Sequence, residues 1–165
     1  MNKKFKIVSI ASEFEVYESE KDLSPEENQL LQKAKLALKN AHAPYSGFFV
    51  GASILLENGE IVLGNNQENA AYPSGLCAER VAIFSASANF SSVPVNTIAI
   101  SCKSSQTIIK GPVTPCGACR QVIAEYETKQ NKPIRIIMQG EKGHVYAANS
   151  INALLPLMFN HKYLK

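Results

Sequence analysis

The chain has 165 residues, 45% of them hydrophobic and 19% charged, which is the size and balance of one domain that buries its own core. Its net charge of +3 is small, and several lysines gather near the two ends (Lys3, Lys4, Lys6, Lys162, Lys165) and not in one basic stripe, so nucleic acid is not an expected partner. No apolar run approaches the roughly 20 residues needed to cross a bilayer, which argues against a membrane span.

The apolar patch over residues 7–11 is shorter than a signal-peptide core and runs straight into Glu13 and Glu15, so we expect mature sequence of a cytoplasmic protein. Residues 1–22 alternate loosely (Phe5, Ile7, then Phe14, Val16) and read as an extended N-terminal arm, with room for an edge strand, ahead of the main domain at 23–165. Ser24-Pro25-Glu26-Glu27 is a helix start: Ser24 caps, Pro25 suits the first helical position and Glu27 completes a capping box. The stripe Leu30, Leu31, Ala34, Leu38, Ala41 continues that helix until Pro44 and Gly47 break it. Two strands over 49–56 and 60–63, joined by a tight turn at Asn58-Gly59, form a hairpin.

A polar loop over 64–75 leads to a helix over 77–88, then a strand over 97–102, a helix from Pro115 to about Glu127 and a strand over 134–138. A fifth strand fits 144–147, and 151–159, interrupted by Pro156, fits a short terminal helix or helical turn. Strands alternating with helices of these lengths predict an α/β fold, a three-layer α/β/α sandwich on a mixed sheet of about five strands.

Four cysteines without an export signal point to thiol chemistry or metal ahead of disulfides. Cys116 and Cys119 stand at i and i+3, on one face of a helix start, so both sulfurs can hold one ion as thiolates. A C-x-x-C alone also fits a redox pair. A third thiolate, from Cys77 at the start of another helix, favours zinc, with the fourth tetrahedral position left to water as in a catalytic site. Three thiolates make the cluster negative, and two features offset this: both cysteine segments open helices, and Arg80 is placed to hydrogen-bond the sulfurs. Glu79, two residues from a ligand, is the candidate proton carrier; a lone glutamate in a first helical turn is more often simply solvated.

Four blocks together resemble the short-chain cytidine deaminase family: Ala43-Pro44-Tyr45-Ser46 before Phe48, Asn66-Gln67-Glu68-Asn69-Ala70-Ala71-Tyr72, Cys77-Ala78-Glu79-Arg80, and Pro115-Cys116-Gly117-Ala118-Cys119-Arg120-Gln121. The resemblance runs from about Pro44 to Phe159. It implies one zinc per chain on Cys77, Cys116 and Cys119, with hydrolytic deamination of cytidine and deoxycytidine in pyrimidine salvage by zinc-activated water, Glu79 shuttling protons. It implies that Asn66 and Glu68 bind the sugar hydroxyls and that Phe48 packs on the base. It also implies a homotetramer in which Tyr72 and Phe159 lie near pockets shared between subunits. Loop and core roles are the usual fate of such residues taken singly. A carboxylate in this place would repel a phosphate, which favours a nucleoside over a nucleotide. Gln67 departs from the apolar residue frequent there. Cys102, ending a predicted strand, is expected to be a buried spectator, and His42, His144 and His161 have no ligand spacing with the cysteines.

Overall fold

Successive side chains of a strand point to opposite faces, so long apolar runs in this chain require a sheet covered on both sides. The computed structural model, which describes residues 4–164, has that architecture. In chain order its elements are β1 (Glu15–Tyr17), α1 (Pro25–Ala37), β2 (Phe48–Leu56), β3 (Ile61–Asn65), α2 (Ala78–Asn89), β4 (Val95–Ser104), α3 (Gly117–Gln130), β5 (Arg135–Gln139) and β6 (Val145–Ala148), linked by loops and short 3-10 turns. The first three residues of the predicted arm, with Lys3, lie outside the described residues, as does Lys165.

The strands form one sheet in the order β1-β6-β5-β4-β2-β3, with β4 and β5 parallel and every other neighbouring pair antiparallel. Alternation sorts the core. Ile54 and Leu56 of β2, Ile98 and Ile100 of β4, and Ile136 and Met138 of β5 pack with Ala78, Ala82 and Ile83 of α2 and Ile123 of α3. Leu55, Ala99 and Ile137, one step along the same strands, pack with Leu30, Leu31 and Ala34 of α1. The result is the three-layer mixed α/β/α sandwich expected from the sequence.

The sheet has six strands and not about five, because the arm supplies β1, too short for its alternation to be scored. It pairs antiparallel with β6, Glu15 opposite Ala147 and Tyr17 opposite Val145. One guanidinium fastens it: Arg135 donates to Glu15 Oε2 at 2.6 Å, to Tyr17 Oη at 3.1 Å and to Glu27 Oε1 at 2.6 Å, and also to Asn149. Glu27 closes the capping box of α1 at the same time, accepting from the Ser24 amide at 3.1 Å while its own amide donates to Ser24 Oγ at 3.3 Å. The arm, the first turn of α1 and the start of β5 thus share one charged node.

Three further elements differ from expectation in detail. The α-helical part of α1 ends at Ala37 and tightens into a 3-10 turn over Leu38–Asn40, short of Ala41. The hairpin turns through three residues, with the Gly59 amide bonded to Leu56 O at 3.0 Å and only Gly59, at φ 85°, in left-handed space. Of the short helix or helical turn expected over 151–159, the structure has the turn, a 3-10 turn over Ile151–Ala153 that stops ahead of Pro156, which offers no amide; a further 3-10 turn, His161–Leu164, follows beyond that range.

Gly64 sets the distance between sheet and metal site. A Cβ there would sit 2.4 Å from the carbonyl oxygen of Ala78 and 2.5 Å from the amide of Ala82, so only glycine lets the first turn of α2 lie directly on β3.

The Arg135 node makes a testable statement about stability. Hydrogen bonds from Arg135 hold the Glu15 carboxyl at about 2, well below its ordinary 4.5. A depressed carboxylate stabilises the fold fully above about 4.5, and that contribution is lost as pH falls towards about 2. We expect Glu15→Gln to cost about 1 kcal/mol at pH 7, the partly exposed position weakening a charged hydrogen bond. Thermal unfolding of both proteins at pH 7 and pH 3 should show the gap narrowing at the lower pH; an unchanged gap refutes the assignment.

Candidate active site and metal centre

Cys77 and Cys116 are the N-cap residues of α2 and α3, in nearly the same extended backbone conformation (φ −73°, ψ 154° and φ −66°, ψ 166°). Each helix therefore begins just after its cysteine, one residue later than expected for α2 and two for α3. An N-cap side chain ordinarily accepts a bond from the first-turn amides, but neither sulfur does so, which leaves both for another partner. Cys119, third residue of α3, is fully buried. The three Sγ atoms lie within 4.8 Å of one another, and Cys77 and Cys116 are 3.7 Å apart.

This donor set fits zinc. A tetrahedral ion with Zn–S bonds of about 2.3 Å requires sulfurs separated by about 3.8 Å, whereas a disulfide requires about 2.05 Å. All four cysteines are free thiols. Among the described residues no fourth His, Cys, Asp or Glu ligand atom joins the group, so one tetrahedral corner has no protein ligand.

Positive groups surround the sulfurs. Both helix N-termini point their partial positive charge at the cluster. Arg80 Nη2 reaches Cys77 Sγ at 3.8 Å and Gly75 O at 3.5 Å, and its Nε is buried without a partner. Hydrogen bonding from Cys119 and from Arg80 holds the Cys77 thiol at about 5, although burial opposes this. The Cys119 thiol is pushed the other way, first by its hydrogen bond to Cys77 and then by burial. Glu79, in the first turn of α2, is only 5% exposed; burial raises its carboxyl above the usual range, and the charge on Cys77 adds to the effect. A buried carboxyl that holds a proton more readily than usual is suited to receiving and returning one.

Cys77, Cys116, Glu79 and Arg80 line a cleft of about 590 Å³. Phe48, Asn66, Glu68 and Tyr72, named from the sequence as substrate residues, line the same cleft. Asn66 extends the β2 ladder with its side chain, accepting from the Val50 amide at 2.7 Å and donating to Phe48 O at 2.9 Å, and keeps one Nδ2 hydrogen uncommitted. Glu68 is half-buried and accepts from the Tyr45 amide at 2.9 Å, the Ser46 amide at 3.2 Å and the Ser46 hydroxyl. Those donors, the Ser46 hydroxyl foremost, lower its carboxyl below the ordinary range.

Residues 66–68 are gripped from both sides. The His42 amide donates to Asn66 O at 2.9 Å and the Glu68 amide to His42 O at 2.8 Å, while Gln67 and Leu76 exchange backbone bonds at 2.9 and 3.0 Å. The Gln67 side chain donates to Asn65 Oδ1 and Asn40 O, which accounts for a polar residue at this position. Tyr72 is 73% exposed and meets Tyr45 edge-on, ring centroids 5.8 Å apart. Phe159 is not among the residues lining the cleft; its carbonyl accepts from Gln121 Nε2 at 2.9 Å and its ring stacks on Tyr163.

Cys102 is buried in β4 away from the cluster, its thiol pushed up to about 11 by burial. The three histidines stand outside the sulfur cluster, as expected. Two contributors went unassigned in the sequence. Ser46 buttresses Glu68 across 22 positions and Arg120 contacts segments up to 34 positions away, separations at which no local pattern gives a signal.

Residues 24–132 match the family model described as the cytidine and deoxycytidylate deaminase zinc-binding region. The chain is 38% identical over 138 residues to the cytidine deaminase of Sporosarcina psychrophila, covering 82% of this chain and 93% of that one. It is 38% identical over 130 residues to the cytidine deaminase of Halalkalibacterium halodurans, covering 79% and 91%. The crystal structure of cytidine deaminase from Burkholderia pseudomallei superposes with a TM-score of 0.70 at 36% identity, over 83% of this chain and all of that one. With three sulfurs at zinc spacing beside a buried glutamate, and matches that span most of its length, the chain belongs to the zinc-dependent cytidine deaminase family.

Proposed function

We propose that this chain hydrolyses cytidine and deoxycytidine to uridine and deoxyuridine with release of ammonia. The observation that carries the reading is the placement of Glu79, buried beside the three-sulfur cluster and facing the same cleft as Asn66 and Glu68. Zinc, held by Cys77, Cys116 and Cys119, supplies the Lewis acidity that makes water a nucleophile at neutral pH.

The protein supplies position and proton traffic. Glu79 relays both protons of the attacking water in turn: its carboxylate takes the first and passes it to the ring nitrogen adjoining the reacting carbon, then takes the second from the added hydroxyl and passes it to the amine, which leaves as ammonia while the carbonyl forms. Its raised proton affinity supports both halves of that exchange. Phe48 offers an apolar wall to the base. Asn66, with its remaining amide hydrogen, and Glu68, ionised and held by Tyr45 and Ser46, bind the sugar hydroxyls. An ionised Glu68 opposes a phosphate at that end of the cleft, which supports nucleosides over nucleotides as substrates. Arg80 offsets charge on the sulfurs and so moderates the metal.

The catalytic unit in this reading is residues 23–165, with 1–22 an arm that reinforces the sheet through β1. Four free thiols support a reducing, cytoplasmic site of action. No helix among the described residues is long and apolar enough to cross a membrane.

Glu79→Gln separates proton transfer from metal binding: the amide preserves shape and cannot carry the proton. Zinc content should stay at one per chain while cytidine turnover falls by a factor of roughly 10³ or more, the low end being common for loss of a proton-transfer group. Metal analysis and ammonia release on the same preparation decide it, and substantial activity in the variant would end the assignment.

We also propose a homotetramer in which Tyr72 and Phe159, 73% and 56% exposed in the single chain, complete pockets across interfaces. Light scattering should then give four times the 18.0 kDa of one chain. A monomeric mass with full turnover would dismiss shared pockets.

A further inference from the structure

Of the three sulfurs, that of Cys116 has the weakest surroundings. Cys119 is buried and Cys77 half-buried beside Arg80, but Cys116 is exposed at the end of the long loop joining β4 to α3. The middle of that loop is anchored where the Glu141 and Lys142 amides donate to Ile109 O at 2.9 and 3.1 Å. Among the described residues, no backbone-to-backbone hydrogen bond holds 112–115, and Pro115 has no amide to give.

The Arg120 side chain holds that stretch instead. It lies in the first turns of α3, where side chains lean back towards the helix N-terminus, and there it meets three acceptors in three directions. Nε donates to Pro115 O at 2.8 Å, the carbonyl immediately before Cys116. Nη2 donates to Thr114 Oγ1 at 2.9 Å, on a residue that lines the cleft. Nη1 donates to Leu154 O at 2.8 Å, where the C-terminal segment leaves its 3-10 turn. Among the described residues Arg120 has no carboxylate in ion-pair range, so all three partners are neutral oxygens. A guanidinium spent on two loop atoms and one distant carbonyl is a geometric brace.

The geometry points to Arg120 as a positioning residue for the metal site: it fixes Cys116 through Thr114 and Pro115, and ties that loop to the C-terminal segment at Leu154. This rests on the reading of the three cysteines as zinc ligands. Arg120 touches neither sulfur nor substrate, and acts only through the place it gives Cys116. Lysine cannot replace it, because one ammonium at the end of a flexible stem does not span three divergent acceptors.

The test is zinc retention in the full-length protein. Zinc release to a chromogenic chelator should quicken about tenfold or more in Arg120→Ala and Arg120→Lys, within the range typical of residues that support ligands, and by less in Thr114→Val. Cobalt-substituted protein should show a shifted thiolate-to-cobalt absorption band in the same variants, which a loss of stability alone does not produce. Arg135→Gln, destabilising at the start of β5, the end of the strands opposite the metal site, serves as the control and should leave release and spectrum unchanged. If Arg120→Ala fails to fold, Arg120→Lys and Thr114→Val decide the matter. Parental release rates and spectra in those two variants overturn the proposal, as does an equal effect from Arg135→Gln. A parent protein that binds one zinc yet leaves cytidine intact would sink the deaminase reading and leave the role of Arg120 standing.

Discussion

Three sulfurs within 4.8 Å concentrate negative charge at one point, and the neighbouring structure is organised around making that tolerable. Two unit charges about 4 Å apart repel by roughly 4 kcal/mol at an effective dielectric of 20, so three thiolates do not assemble without compensation. A divalent ion supplies most of it. The rest comes from the N-termini of α2 and α3 and from Arg80, and these operate only if both helices begin at the same place. Strand register provides that. Phe48 at the start of β2 lies opposite Ser104 at the end of β4, and Gly51 lies opposite Asn65 at the end of β3. The chain therefore leaves β3 and β4 at one end of the sheet. The loops that follow deliver Asn66, Glu68 and Cys77 from one side and Cys116 from the other.

The same cleft holds two carboxylates in opposite environments. Glu79 is buried beside sulfur and pushed towards its protonated form; Glu68 is more open, surrounded by three donors and pushed towards ionisation. Such divergence separates proposed roles without any difference in side-chain chemistry between them. The direction of each shift suits the role proposed for it, proton exchange for Glu79 and acceptance from hydroxyls for Glu68. Their placement follows from the backbone: Glu79 in the first turn of a helix laid against Gly64, Glu68 on a short extended segment gripped by His42 and Leu76.

What the sequence made legible was local or strongly periodic. Ser24, Pro25 and Glu27 marked the start of α1 because capping is a contact over three residues. The run 49–56, followed by Asn58-Gly59 and 60–63, marked a hairpin because its turn is set by adjacent residues. The cysteines were legible as ligands because only a few chemistries require that spacing. Departures arose where distant partners decide. The three residues of β1 owe their strand state to pairing with β6 and to Arg135, 120 positions from Glu15, and a segment so short carries no period. Of the helix or helical turn expected over 151–159 the turn formed, over Ile151–Ala153, and the carbonyl of Leu154, which caps it, is bonded by the distant Arg120. Phe159, expected only near a pocket shared between subunits, stands outside the cleft of the single chain, so its proposed part depends on a neighbouring subunit.

The arm shows how a chain can extend a fold without touching its chemistry. The family match begins at residue 24 and ends at 132, and the Arg135–Glu15 contact lies wholly outside it. Without β1, the sheet would end at β6, whose apolar Val145 and Ala147 leave unpaired backbone groups open to other chains. With β1 in place the edge becomes three residues long and carries Glu15, already paired to Arg135. A short charged edge is a poor template for further pairing. Because Arg135 also binds Glu27, which completes the capping box of α1, the guanidinium that covers the edge also holds the start of the first helix.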